Sequence, residues 1–293
     1  MTKIPQKECS MMLRKIGLVL GICSGLFAMA LPVKADLVLG VHPFKPPAKL
    51  IESFSPLTNY LSEKLGEPVR IVIARDYQAH IDAVGHNQVD IGYFGPVPYI
   101  KLHDAYGARP LLVRQAINGS PTFHGRIFVA EASPIKSLAD LKGKRFAFGD
   151  AHSTMSHLVP RYMLLQAGIT ADMLASYNFV GDHVNVALGV LAGDFDAGAA
   201  KEDVFLQYEK RGLRSIATSM PLSDHVFVAS NTLPDAKVQQ LRTLLLQLHN
   251  EPRGSLILQA ITPGVTRLLP VQDSDYDNLR QLLARLKQTG VPY

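Results

Sequence analysis

From Asp36 onward, short apolar runs alternate with segments whose apolar residues recur every three or four positions. Leu37-Val38-Leu39-Gly40-Val41 carries no polar side chain and reads as a buried strand. Leu50, Phe54, Leu57, Leu61 and Leu65 fall at helical spacing and predict a helix over 48–65. The β-branched run 69–74 returns to strand, 77–85 to a short helix and 89–94 to a third strand. The alternation restarts after Gly125 with a strand over 126–130. A helical turn over 137–141 follows, with Ser137 as N-cap and Asp140 at the third helical position, then a strand over 145–148. A helix over 157–167 ends at Gly168. Strand 176–180, helix 184–191 and strand 195–199 repeat the motif. A strand over 225–229 precedes closing helices near 235–250 and 275–288. This order predicts βαβ units and mostly parallel sheets, and no fixed short repeat is present.

Two successive βαβ blocks and a strand that returns late predict two α/β lobes. One takes 36–125 and 226–293, the other 126–225. The chain then crosses between them near 121–128 and 221–228, where Pro121 and Pro221 punctuate the sequence. A ligand in such a molecule is expected between the lobes, outside the carboxyl ends of the strands.

The 293 residues are 47% hydrophobic and 19% charged, enough apolar material for one large core or two modest ones. The formal net charge of +5 is concentrated at the start: residues 1–35 hold Lys3, Lys7, Arg14, Lys15 and Lys34 against Glu8 alone. The rest carries only about +1, which gives no footprint for a phosphate backbone and excludes a nucleic-acid partner. Arg14 and Lys15 precede an apolar run over 16–33, and Val33-Lys34-Ala35 offers a cleavage point before Asp36. Residues 1–35 therefore read as a secretory signal peptide, and the mature product is expected in the periplasm. The two cysteines, Cys9 and Cys23, both fall in that segment, so thiol chemistry and disulfides are excluded from the mature chain.

Candidate chemistry sits where strands run into helices. Asp150-Ala151-His152-Ser153-Thr154-Met155-Ser156-His157 places Ser153, Thr154 and Ser156 beside the unpaired N–H groups of a helix start, which favours an oxyanion. Ordinary capping needs only one such hydroxyl. Tyr93-Phe94-Gly95-Pro96 is a second strand-to-helix turn, with Gly95 allowing close backbone approach and Pro96 suited to the first helical position. Tyr77 and Tyr93 are candidate pocket walls, with a buried aromatic as the blander reading. His183 and Asn185 lie at a third helix start and are possible anion donors. Lys201, Glu202 and Asp203 follow a strand and either read a second ligand group or face solvent.

These motifs, in this order, resemble the phosphate/phosphite/phosphonate-binding periplasmic proteins of ABC importers. The resemblance rests on Gly40-Val41, Arg75-Asp76-Tyr77, the run from Asp90 to Pro96, the run from Ser137 to Arg145, the Ser153-Thr154 turn and the run from Asp182 to Leu188. It implies a two-lobed type II periplasmic-binding-protein fold, α/β with mixed sheets flanked by helices around an interlobe ligand cleft. It further implies that the oxyanion is held at Ser153-Thr154-Met155, with Met155 departing from the family's serine and Ser156 as a substitute. Tyr77, Tyr93, Phe94, Gly95 and His183 match family positions, Asn185 more loosely. Glu202 or Asp203 corresponds to the acid that greets the amine of aminoalkyl phosphonates. The implied partners are a small oxyanion and an ABC permease; delivery of the closed form to a membrane sensor protein is a variant of equal mechanical logic, and the chain is expected to be a monomer. No cofactor is implied.

Two other classes fit the residues less well. A hydrolase built on Ser153 or Ser156 with His157 or His183 lacks a G-x-S-x-G elbow, and serines spread over a helix start look like donors rather than one nucleophile. A metal protein finds no H-E-x-x-H, and His152 and His157 are badly spaced for a helical pair. The expectation is a binding protein with no catalytic residues and no metal.

Overall fold

The computed structural model describes residues 36–290. The expected signal peptide, its cleavage point and both cysteines lie outside the described residues.

Strand β1 (Leu37–Val41) has every residue buried, as its unbroken apolar run requires. Helix α1 (Pro47–Leu65) buries Leu50, Phe54, Leu57, Leu61 and Leu65 along one face and stops at Gly66, whose φ of 64° suits glycine. Each such side chain taken from water contributes about 1.5–3 kcal/mol. Then come β2 (Val69–Ile73), α2 (Tyr77–Gly85), β3 (Ile91–Phe94), α3 (Pro96–Tyr106), β4 (Leu111–Ile117) and the two-residue β5 (Thr122–Phe123).

The second block begins with β6 (Gly125–Ala130) and continues through β7 (Arg145–Phe148), α4 (Val159–Gln166), β8 (Ser176–Phe179) and α5 (His183–Leu191). It ends with β9 (Ala197–Lys201), α6 (Glu202–Glu209) and β10 (Leu213–Thr218). The two-residue β11 (Leu222–Ser223) leads back to β12 (Val226–Ala229), α7 (Asp235–Gln247), α8 (Gly254–Ile261), β13 (Val265–Leu269) and α9 (Asp277–Gln288). The Ser137 turn is a 3-10 turn over Leu138–Leu141 with the reciprocal Ser137–Asp140 capping box that the sequence predicts.

Two main sheets result. The first has six strands in the order β13-β4-β12-β3-β1-β2, and the second has five in the order β10-β6-β9-β7-β8. Both are mixed: β1 runs parallel to β2 and β3, while β12 lies antiparallel between β3 and β4. In the second sheet β7 is parallel to β8 and β9, and β6 is antiparallel to β9 and β10. Helices cover both sheets over separate apolar clusters, Leu39, Phe54 and Phe227 in one and Phe146, Phe148 and Ile127 in another. The segments 121–128 and 221–228, where crossings are expected, hold β5 and β11, which form an antiparallel ribbon with Phe123 opposite Leu222.

The expected helix over 157–167 differs at its start. A π-helical turn over Thr154–Leu158 leads into α4. Pro160 has no N–H to give the Ser156 carbonyl, and the Gly149 N–H takes that carbonyl instead at 3.1 Å. Strands β4, β10 and β13 lie outside the expected elements, because their buried positions do not alternate cleanly, and the eight-residue helices α6 and α8, although buried at helical spacing, lie outside them too.

Candidate functional site

Register brings the site together. In the six-stranded sheet Val41 of β1 stands beside Tyr93 of β3, and Val226 of β12 stands beside Phe94. The residues just beyond those pairs, His42, Gly95 and His225, therefore meet at one sheet end. In the five-stranded sheet Lys201 closes β9 opposite Gly125, and the loop after β7 carries Ser153. The carboxyl ends of the parallel strands in the two sheets face a common small cavity. It is lined by His42, Tyr77, Gly95, Pro98, Phe123, Ser153, Thr154, Met155, His183, Lys201 and His225.

The hydroxyls are held as donors. Ser153 caps the turn, its Oγ accepting from the Ser156 N–H at 3.2 Å. The Lys201 backbone N–H donates to His183 Nδ1 at 2.9 Å, so the imidazole hydrogen resides on Nε2 and points at Ser153 Oγ, 3.2 Å away. Having accepted twice, Ser153 keeps its own hydrogen to give, with the Tyr77 side chain beside it. Thr154 reaches across from the second sheet: its Oγ1 accepts the Val97 N–H at 2.9 Å, supplying the cap that Gly95 at the start of α3 lacks. Its hydroxyl hydrogen is likewise left to donate.

The charges are arranged around a positive centre. Lys201 is 3.4 Å and Lys45 3.1 Å from Asp203. Burial alone would raise the Asp203 carboxyl, but the Lys201 and Lys45 ammonium groups hold it well below the usual carboxylate range. Burial pushes the Lys201 ammonium down, and Asp203 opposes that shift. Burial, reinforced by Lys201, lowers His183 to about 3. Burial also drives His42 and His225 well below the ordinary imidazole value, and it raises Asp224 to about 7.

Of the residues expected at the ligand, Tyr77, Gly95, Ser153, Thr154, Met155 and His183 line the cavity. The others stand elsewhere. Phe94 is wholly buried in the core beneath α3, packed on His80. Tyr93 is buried behind the site, its ring stacked on His225 at 5.1 Å. Ser156 donates to the Ala199 carbonyl and ties the turn to β9. Asn185 is exposed, its amide spent on the Val180 carbonyl, because Asp182 is the side chain that caps α5. Glu202 pairs with Arg126, and Asp203 is held between the two lysines. His42, His225 and Phe123 reach the cavity without having been expected there. The usable signal was positional: His42 directly follows the first strand, and Phe123 and His225 fall within the segments where the chain is expected to cross between lobes. Among the described residues, no group of three or more His, Cys, Asp or Glu side chains has metal-holding geometry, and no helix is long and apolar enough to cross a membrane.

A family model described as the periplasmic substrate-binding protein of phosphonate ABC transporters matches residues 39–276. The phosphate-import protein PhnD of Mycolicibacterium smegmatis is 27% identical over 271 residues, which cover 84% of each chain. The probable ABC transporter phosphite binding protein PhnD1 of Prochlorococcus marinus is 26% identical over 272 residues, covering 86% of this chain and 90% of that one. A structure of PhnD1 from Prochlorococcus marinus in complex with methylphosphonate superposes with a TM-score of 0.79 at 22% identity, covering 86% of this chain and 98% of that one. At that identity the likeness shows a shared fold.

Proposed function

Since this chain belongs to the family of periplasmic substrate-binding proteins of phosphonate ABC transporters, we propose that it captures a small phosphorus oxyanion of the phosphonate, phosphite or phosphate class and delivers it to an importer permease. The observation that carries this reading is the convergence of the Ser153 and Thr154 hydroxyls, the His183 Nε2–H and the Lys201 ammonium on one small cavity. Donors of this kind hold a tetrahedral anion, and exclusion of water strengthens each bond. Residues 36–125 with 226–293 and residues 126–225 act as the two closing lobes, and the β5–β11 ribbon acts as their hinge. The proposed ligand set is Tyr77, Gly95, Ser153, Thr154, Met155 and His183, joined by His42, Lys201 and His225. Residues 1–35 direct export and are removed after Ala35, and the mature chain works as a monomer.

Binding without turnover is supported by the tautomer at His183. A general base for Ser153 would need a bare Nε2, whereas here Nε2 carries the hydrogen because Nδ1 accepts from Lys201. Delivery to a sensor finds no favouring observation.

A thermal-shift screen of the mature protein tests the reading. Methylphosphonate, phosphite or phosphate at a hundred times its Kd should add about 2.7 kcal/mol, a rise in Tm of roughly 5 °C or more. Unmoved midpoints with all three would overturn it.

A further inference from the structure

The two histidines that periodicity did not place at the site have their tautomers fixed from behind. His42 Nδ1 lies 3.0 Å from the Tyr93 carbonyl oxygen, which can only accept, so its hydrogen is on Nδ1. The same carbonyl takes His80 Nε2–H on its other side, also at 3.0 Å. His225 Nδ1 lies 2.7 Å from Asp224 Oδ1, which also accepts the His225 backbone N–H at 2.6 Å. Both rings therefore turn a bare Nε2 lone pair forward. Those two atoms converge: a β-carbon on Gly95 would stand 3.5 Å from His225 Nε2, 3.7 Å from His42 Nε2 and 3.7 Å from Thr154 Oγ1. The rings are stacked at 15°, with centroids 5.8 Å apart. The cavity thus has a donor side, Ser153, Thr154, His183 and Lys201, and an acceptor side, His42 and His225.

A lone pair aimed at a bare anionic oxygen is repulsive, whereas one aimed at an O–H is satisfied. We infer that His42 and His225 are specificity-determining acceptors that select an oxyanion still carrying an acidic O–H. The guest binds as the hydrogen-bearing monoanion, and its O–H donates to an imidazole Nε2 while its bare oxygens face the donor side. This inference rests on the oxyanion-binding function proposed above and goes beyond it. Phosphorus oxyanions keep an ionisable hydrogen near neutral pH, with a second pKa of about 6 in phosphate esters. A sulfonate of the same shape has none. A site built to bond a guest's hydroxyl rejects an analogue lacking it far more strongly than shape alone would.

The test compares methylphosphonate with methanesulfonate by titration calorimetry on the mature protein. The wild type should prefer methylphosphonate by at least about 100-fold near pH 6. That ratio should fall about tenfold per pH unit once the guest's second ionisation is passed. The ratio is the informative quantity because the other groups that face these rings titrate equally for both guests. They are Tyr77, His80 and His183 on the His42 side, and Asp224, Asp203, Lys201 and Lys45 around His225. H42F, with its fold checked by circular dichroism, should lose at least about tenfold of the ratio, because methylphosphonate loses its acceptor while methanesulfonate is freed of a repulsive lone pair. If methanesulfonate binds within about threefold of methylphosphonate, or if the wild-type ratio is flat from about pH 6 to 9, the acceptor role is overturned and the binding function stands. Absence of binding by methylphosphonate, phosphite and phosphate alike would overturn both.

Discussion

The two sheet ends that face the cavity solve different problems. The five-stranded side presents Ser153, Thr154, His183 and Lys201, all of them donors, and its Asp203 carboxylate is shared by Lys201 and by Lys45, which reaches over from the loop after β1. The six-stranded side presents His42 and His225, neutral and buried, with their hydrogens turned away from the guest. Chemically alike residues thus play opposite parts: His183 gives a hydrogen and His42 waits for one. What decides the part is the atom behind the ring, a backbone N–H for His183 and a backbone carbonyl for His42. A histidine's role is therefore a property of its neighbours, and comparing the two sides makes that testable.

Acid should have the largest effect, and it falls mostly on the acceptor side. His42, His80 and His225 there, and His183 opposite, are kept neutral in the folded state by burial, His80 and His183 at about 3. An unfolded histidine takes up a proton near pH 6.5, so below that value the unfolded state binds more protons and stability falls as pH falls. Each neutral histidine contributes up to about 1.4 kcal/mol of loss per pH unit. Asp224, raised to about 7, runs the other way: the folded state keeps its proton, and that contribution is lost as pH rises toward 7. Four histidines outweigh one carboxyl, and the thermal midpoint without ligand should drop steadily from about pH 7 to 4. A midpoint that is constant or rises toward acid would mean the rings are charged in the folded protein.

Breaking the donor side comes next. Asp203→Ala leaves two largely buried ammonium groups without their carboxylate, and urea unfolding should show a loss of about 3–5 kcal/mol. A loss under about 1 kcal/mol would show that the triad is solvated. Ser153→Ala and Thr154→Ala should each weaken anion binding by about 1.5–3 kcal/mol in calorimetry. Unlike H42F, they should weaken methylphosphonate and methanesulfonate together, since they remove donors and not acceptors. Undiminished affinity in both variants would take these hydroxyls out of the site.

The smallest change probes the point where the two sides meet. Gly95 has φ −70°, a conformation any residue adopts, and its added methyl would touch His42, His225 and Thr154 at ordinary contact distance. Gly95→Ala should therefore leave stability unchanged or raise it by about 0.4–1 kcal/mol while costing about 1–3 kcal/mol of binding to overcrowding. Full affinity in this variant would move the guest away from Gly95.

The sequence by itself determined the α/β class, the strands β1, β2, β3 and β7, the Ser137 capping box and the hydroxyl-rich turn at Ser153-Thr154. These are local: an apolar run, a helical repeat or a capping pattern is set by residues a few positions apart. It also offered Pro121 and Pro221 beside the segments that become β5 and β11. Only the tertiary structure decided that Phe94 and Ser156 are structural, that Asn185 and Glu202 spend their polar groups elsewhere, and that His42 and His225 stand in the cavity. Residues 42, 95 and 225 become neighbours only through strand register between β1, β3 and β12, which no short-range pattern encodes. The direction of each imidazole is settled later still, by which backbone group packing leaves behind it.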